Sequence, residues 1–349
     1  MEGTQALARV PQTTPPERGS QGAALARSVL GFFTRAAEMG VAFLNGLAGD
    51  TIASQQSHLA ISMQMRRMGR RLPESGPELA EAAADLGPKV CVMVHGLCCT
   101  EAMFDFPGKP GVNYGSLLEE ELGYSSLFVR YNTGLHISEN GRALSRLLDG
   151  LSEAMGSRME KLVIIGHSQG GLVARSACHY GSQERASWVE KTERVVLLGS
   201  PQLGAGLEKA VNVLSWVLGA VRTTATTAVS EFLNFRSAAI KDLRFGYLVD
   251  EEWRGRDPDR PFRQNRVPVP APDHTSHYAA AATLTRDPDH PVSFVLGDIL
   301  VRVPSALGCG PADEGERCPL SQSKVFPGYT HFDLARHPDV YEQIKEWLS

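Results

Sequence analysis

The stretch LVIIGHSQGGLVARS, residues 162–176, decides the fold of this 349-residue chain. It opens with four apolar residues, which is typical of a buried strand, and closes with a helical pattern. Between them, GHSQG (166–170) places glycine two residues before and after Ser168, where side chains would collide in a tight strand-to-helix turn. Such a turn would project the Ser168 hydroxyl above the sheet, at the positive end of a helix dipole. We therefore expect Ser168 to be a nucleophile.

The composition is that of a globular protein with one large domain and additions, or with two domains. With 42% hydrophobic residues the chain can bury a sizeable core, and a net charge of −4 gives no indication of a nucleic-acid partner or a polybasic membrane anchor. The six cysteines fit no zinc-binding spacing, so we expect no metal. Cys309 and Cys318 flank an acidic loop and form either a disulfide, if the protein is exported, or two free thiols.

The first residues predict a disordered tail over 1–22, because they are polar and rich in proline. No signal peptide and no uncharged apolar run of membrane-spanning length is found, so we expect a protein that is cytoplasmic or otherwise soluble. An apolar stripe predicts a helical extension over 23–75, and Pro and Gly at 70–78 indicate a linker.

From residue 86 to 349, short apolar runs alternate with amphipathic helices, which predicts an α/β fold with a mostly parallel sheet flanked by helices. Segment 203–275 interrupts this alternation, and we expect it to form a helical cap or lid, with a striped helix over 207–221. The predicted strands and the closing helix lie at 89–94, 126–131, 162–165, 195–198, 292–296, 324–326 and 338–348.

A serine nucleophile in this context requires a base and an acid later in the chain, in the order Ser, Asp or Glu, His. His331 follows a short strand and a Pro-Gly turn, and we prefer it as the base to His337, which precedes a helix. Asp298 follows the predicted strand 292–296 and is preferred as the acid. Its competitors lie in polar surroundings: Asp242, Asp250, Asp287 and Asp289.

The negative charge of an acyl-transfer intermediate requires an oxyanion hole. The main-chain N–H of Gln169, the residue after the serine, is the first expected donor. Because VHGLCCTEAMF (94–104) directly follows a predicted strand, the N–H of Leu97 is the second.

These motifs resemble those of the α/β-hydrolase superfamily, and within it the bacterial esterase/lipase-like group. The resemblance is carried by GHSQGG, VHGL, GSPQLG (199–204) and GDILV (297–301), and it extends over about residues 40–349. Many lipases have Gly-Thr-Pro-His-x-Gly in the third motif, where this chain has Gln202 instead of the histidine. That departure weakens a true-lipase assignment more than a hydrolase assignment.

The sequence thus predicts a serine hydrolase that cleaves carboxylic esters through an acyl-enzyme on Ser168, without cofactors. The alternatives are an acyltransferase or thioesterase with the same triad, or a catalytically silent binding protein with the hydrolase fold. The expected partner is a small-molecule or lipid ester, and the oligomeric state stays open. Trp216 on the predicted cap helix provides either a peripheral lipid contact or plain cap packing.

Overall fold

A computed structural model describes residues 38–55, 60–205, 237–255, 265–287, 297–298, 300–309 and 319–349. Met39–Ser349 forms one compact unit. The strands are β1 (Gln64–Arg67), β2 (Arg70–Arg71), β3 (Lys89–Val94), β4 (Ser125–Arg130), β5 (Lys161–His167), β6 (Thr192–Leu198), β7 (Ser276–Thr283) and β8 (Gln322–Pro327). The helices are α1 (38–54), α2 (Gly76–Ala82), α3 (Tyr114–Leu122), α4 (Ile137–Met155), α5 (Gln169–Glu184), α6 (Ser187–Glu190), α7 (Ala238–Phe245), α8 (Asp250–Trp253), α9 (Val303–Ala306) and α10 (Pro338–Leu348).

The described strands form one eight-stranded sheet in the order β2-β1-β4-β3-β5-β6-β7-β8. All neighbours from β4 to β8 are parallel, whereas β1 is antiparallel to both β2 and β4. The carboxyl ends of the six parallel strands therefore meet at one edge of the sheet, and the loops that leave this edge can share a site.

Helices cover both faces of the sheet, because alternate side chains of each strand point in opposite directions. On β5, Leu162 and Ile164 are buried in one apolar cluster with α4 and α5. Val163 and Ile165 are buried in a second cluster with α3 and α10. This burial on two faces explains why the strands have continuous apolar runs instead of alternating ones.

The fold class and most of the predicted elements are confirmed. Strands β3, β4, β5, β6 and β8 and helices α5 and α10 lie where the apolar patterns predicted them. The predicted tail and the predicted strand 292–296 lie outside the described residues, as does the striped helix 207–221 with Trp216.

The helical extension over 23–75 is wrong in its second half. Residues 38–54 are helical, but β1 and β2 form a hairpin that adds two antiparallel strands to the sheet. Met68 and Gly69 connect them with φ of 48° and 76°, the backbone conformation that a two-residue hairpin turn requires. Pairing of β1 with β4 therefore replaces the helix that the spacing of apolar residues suggested.

Strand β7 (SHYAAAAT) was not predicted, and it is central to the fold. It lies between β6 and β8 in the sheet, so the insertion that follows β6 ends at β7. The described parts of the insertion include α7 and α8, which contact α4 and α5: Asp242 of α7 accepts from the Ile137 N–H of α4, and Tyr180 of α5 accepts from the Asp250 N–H of α8. A cap over the site remains a prediction.

Candidate active site

Ser168 occupies the tight turn between β5 and α5. Its φ of 54° and ψ of −124° are rare for a residue with a side chain, and such backbone strain is concentrated at functional sites. The neighbouring glycines are required by space: a Cβ on Gly166 would lie 2.5 Å from the Gly171 backbone, and one on Gly170 would lie 2.1 Å from Val94 O. The Ser168 N–H donates to Leu198 O at 2.8 Å, which ties the turn to the end of β6.

The loop after β3 lies directly against this turn. A Cβ on Gly96 would lie 3.0 Å from the Cβ of Ser168, so only glycine lets the two segments approach so closely. Leu97, the next residue, is buried, as is Gln169. Gln169 is also the first residue of α5, where main-chain N–H groups have no partner within the helix. The structure thus brings both predicted oxyanion donors close to Ser168.

His331 and Asp298 form a buried pair at the same edge of the sheet. The Nδ1 of His331 lies 2.7 Å from Oδ2 of Asp298, and the His331 main-chain N–H donates to Asp298 O at 3.3 Å. The other carboxylate oxygen, Oδ1, accepts the N–H groups of Leu300 and Val301 at 2.9 and 2.7 Å. Both oxygens of Asp298 are therefore hydrogen-bonded, which fixes the carboxylate on the imidazole.

Asp298 lies beside the end of β7, because Leu284 at that end donates to Gly297 O. The imidazole of His331 lies at the end of β6, where a Cβ on Gly199 would be 3.1 Å from its Cε1 and Nδ1. Because the Ser168 N–H binds the same end of β6, Ser168, His331 and Asp298 lie in one region of the sheet edge. No hydrogen bond joins the Ser168 hydroxyl to His331 within the described residues, a contact that often tightens only when substrate binds.

The rejected candidates lie elsewhere. His337 is half-exposed and accepts the Asp339 N–H at the start of α10. Asp242 binds His136, and Asp250 binds Arg142. Asp287 is exposed, and Asp289 lies outside the described residues.

His167 is a contact of the site that sequence reasoning did not assign. Its Nε2 donates to the main-chain oxygen of His331 at 2.9 Å, and the two rings lie 4.6 Å apart. Burial, and then the nearby His331, hold the pKa of His167 well below its ordinary value, so the ring is neutral. The sequence did contain a signal for this contact. His167 immediately precedes Ser168 in the GHSQG motif, so it must lie beside the residues that contact the serine.

Gln202 occupies the position at which many lipases have a histidine. It is fully buried, and its side chain forms hydrogen bonds to two other parts of the chain. Its side chain accepts from Arg175 Nη1 at 3.0 Å and donates to Ala306 O at 3.1 Å. It therefore links α5 to α9 beneath the loop that follows β6. Cys309 is exposed, whereas Cys318 lies outside the described residues, so the predicted choice between a disulfide and two free thiols stays a prediction.

A family model described as a PGAP1-like alpha/beta domain matches residues 104–258. This range includes Ser168 and ends before Asp298 and His331. No curated protein matches the chain.

Several solved structures are similar at low identity. The mature form of lipase BlEst2 from Bacillus licheniformis is 17% identical over 82% of this chain and 98% of that one, with a TM-score of 0.48. The lin2722 gene product from Listeria innocua is 14% identical over 76% and 94%, with a TM-score of 0.43. An inhibited esterase B from Lactobacillus rhamnosis is 14% identical over 93% and 94%, with a TM-score of 0.42.

This chain has the α/β-hydrolase fold, with a mostly parallel sheet flanked by helices and a strand–serine–helix turn. Its matched part is similar to the PGAP1-like alpha/beta domain. Among the residues described, no helix has the length and apolar character needed to cross a membrane. Nor do three or more metal-ligating side chains cluster anywhere in the described ranges.

Proposed function

We propose that the protein is a serine hydrolase that cleaves carboxylic esters through an acyl-enzyme on Ser168. One observation carries the proposal. The strained Ser168 lies at the same sheet edge as a buried His331–Asp298 pair whose hydrogen bond is 2.7 Å long. This arrangement supplies the three groups that the reaction needs: a serine as the nucleophile, an imidazole as the general base and a carboxylate that orients the base.

In the first half of the reaction, Ser168 Oγ attacks the ester carbonyl carbon while its proton moves to Nε2 of His331. Because His331 Nδ1 donates to Asp298, Nε2 carries the free lone pair that this transfer requires. The N–H groups of Leu97 and Gln169 stabilise the oxyanion, and the positive end of the α5 dipole adds to their field. His331 then protonates the departing alkoxide.

In the second half, water enters and His331 accepts its proton as the water oxygen attacks the acyl carbon. Collapse of the second tetrahedral intermediate releases the acid and returns the proton to Ser168. Asp298 remains ionised and stabilises the imidazolium in both halves. Its two further hydrogen bonds from Leu300 and Val301 hold the carboxylate in place beside the imidazole.

The test combines covalent labelling with turnover. A fluorophosphonate probe should label Ser168 in the intact chain, as located by peptide mass, and p-nitrophenyl esters should be hydrolysed. Ser168→Ala should abolish labelling and reduce kcat at least ~10³-fold. Ser182→Ala, on the exposed side of the same helix, is the matched control and should behave like the wild type. Equal hydrolysis by wild type and folded Ser168→Ala would refute the proposal.

The same assay distinguishes the alternatives. An acyltransferase would convert the ester into a new ester when an alcohol acceptor is added, and a thioesterase would prefer acyl thioesters to oxygen esters. A silent binding protein would react with no probe. An ester panel from C2 to C12 then reports the acyl-chain preference, since each buried CH₂ is worth about 0.8 kcal/mol.

A further inference from the structure

Thr133, in the loop that follows β4, contacts both predicted halves of the oxyanion hole. Its side chain is buried. Its Oγ1 accepts the main-chain N–H of Cys98 at 3.1 Å, and its main-chain oxygen accepts Nε2 of Gln169 at 2.9 Å. One residue thus binds the neighbour of the Leu97 donor and the side chain of the Gln169 donor.

The contact with Cys98 bears on the direction of the Leu97 amide. Cys98 has a φ of 60°, a left-handed conformation that is unfavourable for a residue with a side chain. The N–H that binds Thr133 belongs to the planar peptide joining Leu97 to Cys98. Holding this peptide plane fixes the chain on the carboxyl side of Leu97, and so helps to hold the Leu97 N–H in its orientation.

The contact with Gln169 acts on the second donor. Gln169 is fully buried, and its Oε1 has no hydrogen-bond partner within the described part of the chain. The bond from Nε2 to Thr133 is therefore the polar contact that orients this side chain. Because Gln169 is the first residue of α5, anchoring its side chain also restrains its main-chain N–H, the second predicted oxyanion donor.

The Thr133 loop is itself held firmly. Asn132 Nδ2 donates to Gly49 O of α1 at 3.0 Å, and Asn140 Nδ2 of α4 donates to Asn132 O at 2.9 Å. The Gly134 N–H donates to Asn132 Oδ1 at 3.0 Å. A support anchored to two helices can keep both donors at a constant separation, which is what preorganised stabilisation of an oxyanion requires.

We infer that Thr133 is a positioning residue that fixes the Leu97 and Gln169 amides relative to each other. The inference rests on the proposed function, since it assumes that these amides stabilise an ester-derived oxyanion. Thr133 itself touches no reacting atom. Its loss should therefore reduce transition-state stabilisation and leave ground-state binding of the ester largely unchanged.

The experiment compares Thr133→Val, Thr133→Ser and wild type in p-nitrophenyl ester hydrolysis. Valine keeps the volume but leaves the buried Cys98 N–H unpaired, whereas serine keeps the accepting oxygen. Direct removal of an oxyanion donor costs roughly 10²–10³ in kcat. Misorientation of a donor should therefore reduce kcat about tenfold to 100-fold in Thr133→Val, with KM changed less than about threefold, and Thr133→Ser should recover most of the loss.

A second readout separates positioning from general stability. Affinity for a trifluoromethyl ketone, which forms an oxyanion on Ser168, should fall in Thr133→Val in proportion to kcat/KM. The matched control is Thr192→Val, a buried threonine at the opposite end of β6 whose hydroxyl donates to Trp188 O at 2.9 Å. Its substitution should lower the melting temperature and leave kcat and ketone affinity unchanged.

If Thr133→Val does not fold, Gln169→Met tests the other contact, since it removes the side-chain donor and keeps the main-chain N–H. It should lower kcat and ketone affinity in the same way. Wild-type kcat and ketone affinity in the folded variant would overturn the inference, as would a loss confined to KM. Failure of the proposed function has a different signature, because wild type itself would then show no Ser168-dependent hydrolysis.

Discussion

His331 and Asp298 are 33 positions apart in the chain, yet His331 Nδ1 lies 2.7 Å from the carboxylate and its main-chain N–H also binds Asp298 O. Both the ring and the backbone of the histidine are thus tied to one acidic residue. This double contact connects the loops after β7 and β8. In the proposed mechanism, this double contact would keep the base on its loop in a fixed orientation towards Ser168.

We predict that Asp298 and His331 act as one unit. His331→Ala should abolish fluorophosphonate labelling, whereas His337→Ala should leave it intact, because His337 lies at the start of α10. Once His331 is absent, Asp298→Asn should cost little more, since the carboxylate acts through the imidazole. Rates measured for the two single variants and the double variant test this, and losses that simply multiply would contradict it.

His167 should be a second support of the base. Its Nε2 donates to the His331 main-chain oxygen, so His167→Phe keeps a ring of similar size and removes the donor. We expect kcat to fall about tenfold, because an unpaired buried acceptor costs roughly 1–3 kcal/mol and the His331 loop can shift. His167→Gln, which retains a donor, should lose less. Equal activity of both variants would show that the bond does not position His331.

The turn around Ser168 was predictable because one short stretch contains its whole physical cause. An apolar run and two glycines at fixed distance from the serine leave few alternatives to a strand, a tight turn and a helix. The choice of His331 and Asp298 needed the order of elements as well, and the structure brings these two together.

Other features depend on tertiary pairing and could not be predicted in the same way. Four alanines in β7 have little strand preference, but all four are buried, and one of them, Ala281, packs with Leu300, Val301, Ala306 and Phe332. Strand β1 is specified by its partner β4, although the alternation of Ile61, Met63 and Met65 was a signal for it. The contacts of Thr133 join segments that are 35 and 36 positions apart, so no local pattern indicates them.

Stability should fall as the solution becomes acidic. Burial lowers the pKa of His95 and of His277 to about 4, and holds that of His167 well below its ordinary value. The unfolded chain therefore binds more protons than the folded chain between about pH 6.5 and pH 4, so stability decreases as pH falls through this range. A shift of this size corresponds to roughly 3 kcal/mol for His277 once the pH is below its folded pKa.

Denaturant unfolding at several pH values checks this. His277→Gln removes one titrating group far from Ser168, at the start of β7, and should flatten the dependence of the unfolding free energy on pH. An unchanged slope in His277→Gln would mean that this histidine is protonated to the same extent in both states.

Helix α1 should be coupled to the oxyanion loop through Gly46. A Cβ on Gly46 would lie 2.3 Å from Cys98 Sγ and 3.0 Å from the Cys98 backbone, so Gly46→Ala must displace either α1 or the residue next to Leu97. Gly40 lies in the same helix, and no atom of the described residues lies within 4 Å of a Cβ placed there, which makes Gly40→Ala the matched control. Alanine is favoured over glycine in a helix by about 1 kcal/mol, so the control should keep wild-type kcat and gain stability. Gly46→Ala should lower kcat for p-nitrophenyl esters about tenfold, because displacement of Cys98 would move the neighbouring Leu97 N–H out of alignment with the oxyanion. Equal kcat values for the two variants would show that the oxyanion loop tolerates movement of α1, and that the close contact at Cys98 serves packing alone.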